Sequence, residues 1–221
     1  MSLLESLITA ISPACCVICN KEGIILCEQC RELHIPSRKP ACFWCNRLRP
    51  TGSTCPTCAG KTHLNGAVIP FRLEEPITQL IYRLKYNGDR LAGRYFARIL
   101  AENMPKGQFD CITFVASTGG SQRRRGYNQA QIIAKELSTI TGLPLQNLLL
   151  RTTHTDQIGL NRKQRLSTVL DNFVLTSHTV RGKRILLVDD VMTTGATLNE
   201  CAHVLKQGSA KSVWGMVVAK K

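Results

Sequence analysis

A chain of 221 residues can hold one α/β domain of roughly 150 residues together with a small extra module. Its formal charge of +14 suits polyanionic ligands such as phosphorylated sugars, nucleotides or nucleic acid, and does not choose among them. No apolar stretch approaches the ~18 residues of a membrane-spanning helix, so no membrane insertion is expected.

The first twelve residues place Leu3, Leu4, Leu7, Ile8 and Ile11 at helical spacing, carry Glu5, and lack the basic start of a secretory leader. Eight of the eleven cysteines then fall into four C-x2-C pairs: Cys16 and Cys19, Cys27 and Cys30, Cys42 and Cys45, Cys55 and Cys58. Two thiolates on one tight turn can fill two corners of a tetrahedron, and two such knuckles complete it. Eight thiolates therefore predict two Zn²⁺ sites, structural rather than catalytic, because four protein sulfurs leave no open coordination position. A disulfide framework is the competing reading, but it needs an oxidising compartment that the absent leader does not offer. Reduced zinc thiolates point instead to the cytoplasm. Sequential pairing, Cys16 to Cys30 and Cys42 to Cys58, closes shorter loops than a cross-braced one and is preferred. Cys15 is a spare thiol, and His34 and His63 are not required as ligands. Phe43 and Trp44 on the third knuckle suit either packing of a small module or stacking on bases.

The zinc module is assigned to residues 1–62 and the α/β domain to 63–221. Residues 1–62 hold seven Lys or Arg against four acidic residues, and eight zinc-bound thiolates bring that part near neutral. The other 159 residues carry 22 against 11, so the positive field belongs mainly to the second domain.

Ala59 to Asn65 reads as the linker between the two. Val68 to Phe71 is a short strand. Pro76 opens a helix with Ile77, Leu80, Ile81 and Leu84 on one face, the Asn87-Gly88-Asp89 turn follows, and a second helix runs from Arg90 to Met104. Cys111 to Val115 is a buried strand, Asn128 to Thr141 a helix closed by Gly142, and Phe173 to Leu175 a strand. Arg184 to Val188 is a further strand, Leu198 to Lys206 a helix, and Ser212 to Val218 the last strand. Strands alternating with helices of this length predict a parallel, Rossmann-like α/β sheet. Cys111 and Cys201 fall in apolar patterns and are expected as buried thiols.

Three segments carry candidate chemistry. After the strand ending at Val115, the run Ser117, Thr118, Gly119, Gly120, Ser121, Gln122, Arg123, Arg124, Arg125 has the amides and cations to wrap a pyrophosphate; a solvated basic loop is the alternative. Arg151 to Phe173 is long for a connection and rich in polar groups, including Gln157, Arg162, Lys163 and Arg165. It suits a lid over a ligand, or a mobile linker. Finally, the buried strand Ile185 to Val188 delivers Asp189 and Asp190 to its carboxyl end, where open α/β sheets bind ligands. Thr193, Thr194, Gly195, Ala196 and Thr197 follow, combining hydroxyls, a permissive glycine and the exposed amides of the next helix. A phosphate fits that cradle and the carboxylates suit ribose hydroxyls. A buried strand ending in a capped helix is the plainer reading.

The run Ile185 to Thr197 resembles the phosphoribosyl-pyrophosphate (PRPP) signature of type I phosphoribosyltransferases. The resemblance implies that Thr193 to Thr197 hold the 5-phosphate of PRPP, and that Asp189 and Asp190 bind its 2- and 3-hydroxyls. Relatives acting on 6-oxopurines have an aspartate where this chain has Thr193, so purine salvage is not expected. The four knuckles, Thr78 to Tyr86, Arg125-Gly126-Tyr127-Asn128-Gln129, Thr155-Asp156-Gln157 with Leu160, and the PRPP loop together resemble the ComF/GntX family over nearly the whole chain. That resemblance implies a double zinc ribbon joined to a type I phosphoribosyltransferase domain, Mg²⁺ bound with PRPP, and a role in natural competence, where imported single-stranded DNA is handled. Family members usually have Val-Pro and several basic residues where this chain has Val115 to Ser121. Two functions follow from the resemblance: a phosphoribosyltransferase of unknown acceptor, or a PRPP- or nucleotide-sensing adaptor that holds single-stranded DNA or a competence helicase or recombination mediator.

Overall fold

Four successive apolar residues, Ile185, Leu186, Leu187 and Val188, are wholly buried, as a strand covered on both faces requires. They form the centre of β6 (Arg184–Met192) in a computed structural model that describes residues 14–152, 172–176 and 180–221, the side chains of Ser121 and Arg123 excepted. On one side β6 pairs in parallel with β3 (Cys111–Phe114), with Phe114 opposite Val188. On the other it pairs in parallel with β7 (Ser212–Lys220), with Asp189 opposite Val217. The far edge of β7 carries β1 (Gly66–Val68) and β2 (Phe71–Arg72), both parallel to it. This is the expected parallel sheet. Its outer strand, expected to be continuous from Val68 to Phe71, is instead two short pieces with Ile69 and Pro70 between them. Pro70 has no N–H to give the ladder, which explains the break.

Residues of period two sort the core into two layers. Leu186 and Val188 of β6 and Met216 and Val218 of β7 pack with Leu80 and Leu84 of α3 (Ile77–Tyr86), Phe96, Ile99 and Leu100 of α4 (Arg90–Glu102), and Ile133 and Leu137 of α6 (Gln129–Thr141). Ile185, Leu187, Val213 and Val217 face the other way, onto Leu198, Cys201, Val204 and Leu205 of α7 (Ala196–Gln207). Helix ends follow the sequence. Asp89 accepts from the amides of Leu91 and Ala92, Asn128 caps α6, and Gly142 ends it at φ +72°.

The cysteine knuckles frame α1 (Glu28–His34) and α2 (Pro56–Ala59). The first ribbon packs Ile25 and Leu26 into the layer of α4 and α6; the second inserts Phe43, only 1% exposed, into the layer of α7. The 59–65 segment, expected as a linker, is docked. The Thr62 hydroxyl and the His63 amide both donate to Asn199 Oδ1 of α7 at 2.8 Å, and Leu64 is buried. A second, antiparallel pair was not anticipated in full: β4 (Leu149–Arg151) joins β5 (Phe173–Leu175), bringing Arg151 opposite Phe173. The two ends of the expected lid segment therefore meet. Gln157, Arg162, Lys163 and Arg165 themselves lie outside the described residues. No helix among the described residues is long and apolar enough to cross a membrane.

Candidate active site and metal centres

Strand β6 continues past the end of β3 by four residues while still pairing with β7, so Asp189 and Asp190 lie beyond the carboxyl end of β3. Both are only partly exposed. Asp189 Oδ1 accepts from the Asp190 amide, and Asp190 Oδ1 from the Val191 amide, each at 2.9 Å, so the carboxylates are held by the backbone that carries them. Burial, and then the charge of Asp190, push Asp189 well above the ordinary carboxylate value; the Asp190 amide and Lys85 oppose this.

A cavity of about 220 Å³ opens beside them, lined by Lys85, Ser117, Thr118, Arg125, Arg151 and Thr197 among others. Lys85 Nζ, from the end of α3, lies 3.2 Å from Asp190 Oδ2, without the alignment of a hydrogen bond. Ser117 lines the cavity, and its hydroxyl is buried without a hydrogen-bond partner. Arg125 donates to Gln129 Oε1 at 3.4 Å and lies over the Tyr86 ring at 5.1 Å; Gln129 Nε2 in turn reaches the Lys85 carbonyl at 3.4 Å. Asn128 Nδ2 donates to the Val115 carbonyl at 2.9 Å, tying the start of α6 to the end of β3 and fixing the span of the 116–127 segment.

That segment is not an open loop. Gly119 to Arg125 forms a short helix, α5. Of the residues expected around pyrophosphate, Ser117, Thr118 and Arg125 line the cavity, while Gly119 and Gly120 begin α5 and Arg124 faces solvent. The Arg123 side chain lies outside the description. In the Thr193–Thr197 turn, Gly195 adopts φ +83° as the N-cap of α7, and the Ala196 amide donates to Thr194 Oγ1 at 3.3 Å. Thr193, Thr194, Ala196 and Thr197 are exposed, and Thr197 lines the cavity. A Cβ on Gly195 would meet Met192 Sδ at 3.0 Å and Phe43 Cε2 at 3.6 Å, which places the second ribbon directly beneath this turn.

The sequence did not single out Lys85 or Arg151 as site residues. Lys85 falls off the apolar face of α3, which was a sign of exposure but not of a destination. Arg151 closes β4, whose pairing only the fold reveals.

The cysteine sets assemble as the sequential pairing expects. Cys16, Cys19, Cys27 and Cys30 bring their sulfurs within 4.8 Å of one another, and so do Cys42, Cys45, Cys55 and Cys58. A tetrahedron with metal–sulfur bonds of about 2.3 Å has edges of about 3.8 Å. Cys16 and Cys27 stand 3.8 Å apart, Cys19 and Cys27 3.7 Å, and Cys45 and Cys55 3.6 Å. The residues fit zinc in number, chemistry and spacing. The Thr57 hydroxyl, 3.1 Å away, holds Cys55 down at about 6, while burial and then the Cys55 thiol push Cys58 of the same set up to about 12. Cys15 belongs to neither set, and Cys111 and Cys201 are fully buried away from both.

The family described as Phosphoribosyl transferase domain matches residues 92–221. Competence protein F of Haemophilus influenzae is 34% identical over 158 residues, which are 66% of this chain and 69% of that protein. Competence protein ComFC of Streptococcus pneumoniae is 29% identical over 143 residues, 65% of this chain and 63% of that relative. DNA utilization protein YhgH of Salmonella typhi is 27% identical over 214 residues, 85% and 93% of the two chains.

Proposed function

The chain belongs to the phosphoribosyl transferase domain family, among the ComF competence proteins, and from that premise we propose that it binds Mg²⁺-PRPP at the Asp189–Asp190 site as a cytoplasmic phosphoribosyltransferase of unknown acceptor that serves natural competence, where imported single-stranded DNA is handled. The observation that carries this reading is the convergence of two backbone-held carboxylates, three cations and unpartnered or exposed hydroxyls on one cavity at the carboxyl edge of a parallel sheet.

In this reading the amides and hydroxyls of Thr193 to Thr197 hold the 5-phosphate. Asp189 and Asp190 accept from the ribose hydroxyls and orient C1 for in-line attack. Ser117, Thr118 and Arg125 hold the pyrophosphate, with Gly119, Gly120, Arg123 and Arg124 contributing amides and positive field. Mg²⁺ supplies further neutralisation of the departing pyrophosphate when bound, and carboxylate oxygens are its preferred protein ligands. Lys85 offsets the charge that Asp190 would otherwise present to an anion.

One observation favours a second reading, an adaptor that senses PRPP without turning it over. The described ionisable groups lining the cavity are Lys85, Arg125, Arg151, Asp189 and Asp190, and with both carboxylates on the ribose none is left as a general base. Pyrophosphate release from PRPP, followed with Mg²⁺ and single-stranded DNA present, separates the two. Release abolished by Asp189→Asn/Asp190→Asn supports the enzyme; binding of PRPP with no release under any of these conditions supports the adaptor.

A further inference from the structure

The carboxyl edge of the sheet has a second cavity beside the PRPP site. It measures about 790 Å³ and lies where the second zinc ribbon overhangs the ends of β2 and β7. Five cations line it: Arg38 and Lys39 from the segment between the ribbons, Arg72 from β2, and Lys220 and Lys221 from the end of β7. Among the described residues Glu74 bears the one acidic lining side chain.

This cluster is built into the fold. Arg38 Nη2 and Lys220 Nζ both donate to Asn46 Oδ1, at 3.1 and 2.9 Å, and Lys220 also donates to the Phe43 carbonyl at 2.7 Å. A neutral amide and a carbonyl thus hold two cations side by side with no carboxylate between them. Arg72 comes no closer than 4.0 Å to Glu74, and both of those side chains are mostly in solvent. Burial first, and then the neighbouring Arg72, hold the Arg38 guanidinium below its usual value; burial and then Arg38 do the same to Lys220, against the pull of Cys42 and Cys45. Such crowding is relieved by an anion, and a half-open, basic cavity focuses anions from solution.

We propose that this cleft is a binding site for nucleotide phosphates, separate from the PRPP cavity and supplied either by a free nucleotide or by a single strand of nucleic acid. Arg38 and Lys220 form its fixed floor, while Lys39, Arg72 and Lys221 reach the phosphates from the rim. The rigid floor sets position and the rim supplies most of the salt-dependent attraction. The second ribbon makes one wall, with Ala41, Asn46 and Leu48, so its zinc shapes a ligand surface as well as its own fold. The proposal stands independently of PRPP binding, because none of these cations lines the Asp189 cavity.

Fluorescence anisotropy of a labelled single-stranded oligonucleotide on zinc-replete protein tests it, comparing wild type with Lys39→Ala/Arg72→Ala/Lys221→Ala over a range of salt. The triple variant is expected to bind at least about tenfold more weakly and to lose about 2 from the log–log salt slope, at roughly 0.7 per contact on a single strand. Lys135→Ala, exposed on α6 outside both cavities, is expected to bind as wild type. AMP that displaces the strand from wild type identifies a free nucleotide as a sufficient ligand, and displacement by unlabelled strand but not by AMP identifies the strand; loss of that binding in the triple variant places the phosphate in the cleft. Unchanged affinity and slope in the triple variant, with its zinc content intact, would overturn the proposal. So would loss of strand binding in Asp189→Asn/Asp190→Asn alone. A melting shift with PRPP that persists in the triple variant shows that the two sites fail separately.

Discussion

Asp190 sits between a cation on its own protein and the anion it is proposed to help bind. With Lys85 3.2 Å away, the pair presents little net charge; without it, a carboxylate only 13% exposed faces the pyrophosphate. Lys85→Met is therefore expected to weaken PRPP binding about tenfold or more while leaving the fold intact, read by titration calorimetry; unchanged affinity would remove Lys85 from the site. Asn128 is the other residue on which the site depends without touching ligand. It caps α6 and ties that helix to Val115, so Asn128→Ala should lower stability by about 1–2 kcal/mol in a urea melt. The carboxylate pair and its following turn were legible in the sequence because they are contiguous. Lys85, Arg125 and Arg151 reach the same cavity from α3, α5 and β4, and residue order alone does not show that convergence.

At the scale of elements, the motif strand, the buried β3 and the capped helices α4 and α6 read well, since burial on both faces, Asp89, Asn128 and Gly142 are local signals. The failures have local causes too. Pro70 interrupts the outer strand, the Gly119-Gly120 pair disguised α5 as a loop, and β4 is too short to announce itself before its partner is known. The turn before α7 is the element most sensitive to change. Gly195 combines φ +83° with a Cβ position 3.0 Å from Met192 Sδ, so Gly195→Ala should cost roughly 1 kcal/mol or more and displace the turn. Its melting temperature is expected to fall, and its PRPP-induced shift to shrink more than that stability loss explains. A full ligand shift in this variant would detach the turn from phosphate binding.

Over the whole molecule, the cysteine ribbons are packed onto the phosphoribosyl transferase domain, and the cysteine spacing foretold the two four-cysteine sets but not that contact. Spacing is a local property; the burial of Phe43 against the 192–195 turn and the docking of Thr62 and His63 on α7 are long-range. Cys58→Ser should leave about one zinc in place of two by metal analysis and loosen the floor of that turn, lowering PRPP affinity as well as stability. The docked segment also carries a pH response. Burial, and then His203 and Lys206, depress His63, whose ring lies 4.3 Å from that of His203. A depressed value means the folded form resists protonation, so its stability is full above the unfolded value of about 6.5 and declines as pH falls through the folded one. The melting temperature of His63→Gln should drop less than that of wild type between about pH 7.5 and 5.5. The proposed function rests on one claim, that the Asp189–Asp190 cavity binds PRPP. Thermal melting with saturating Mg²⁺-PRPP is the direct test, comparing wild type with Asp189→Asn/Asp190→Asn. The account predicts a clear rise in melting temperature for wild type and none for the variant; no rise in wild type, or an equal rise in both, would contradict it.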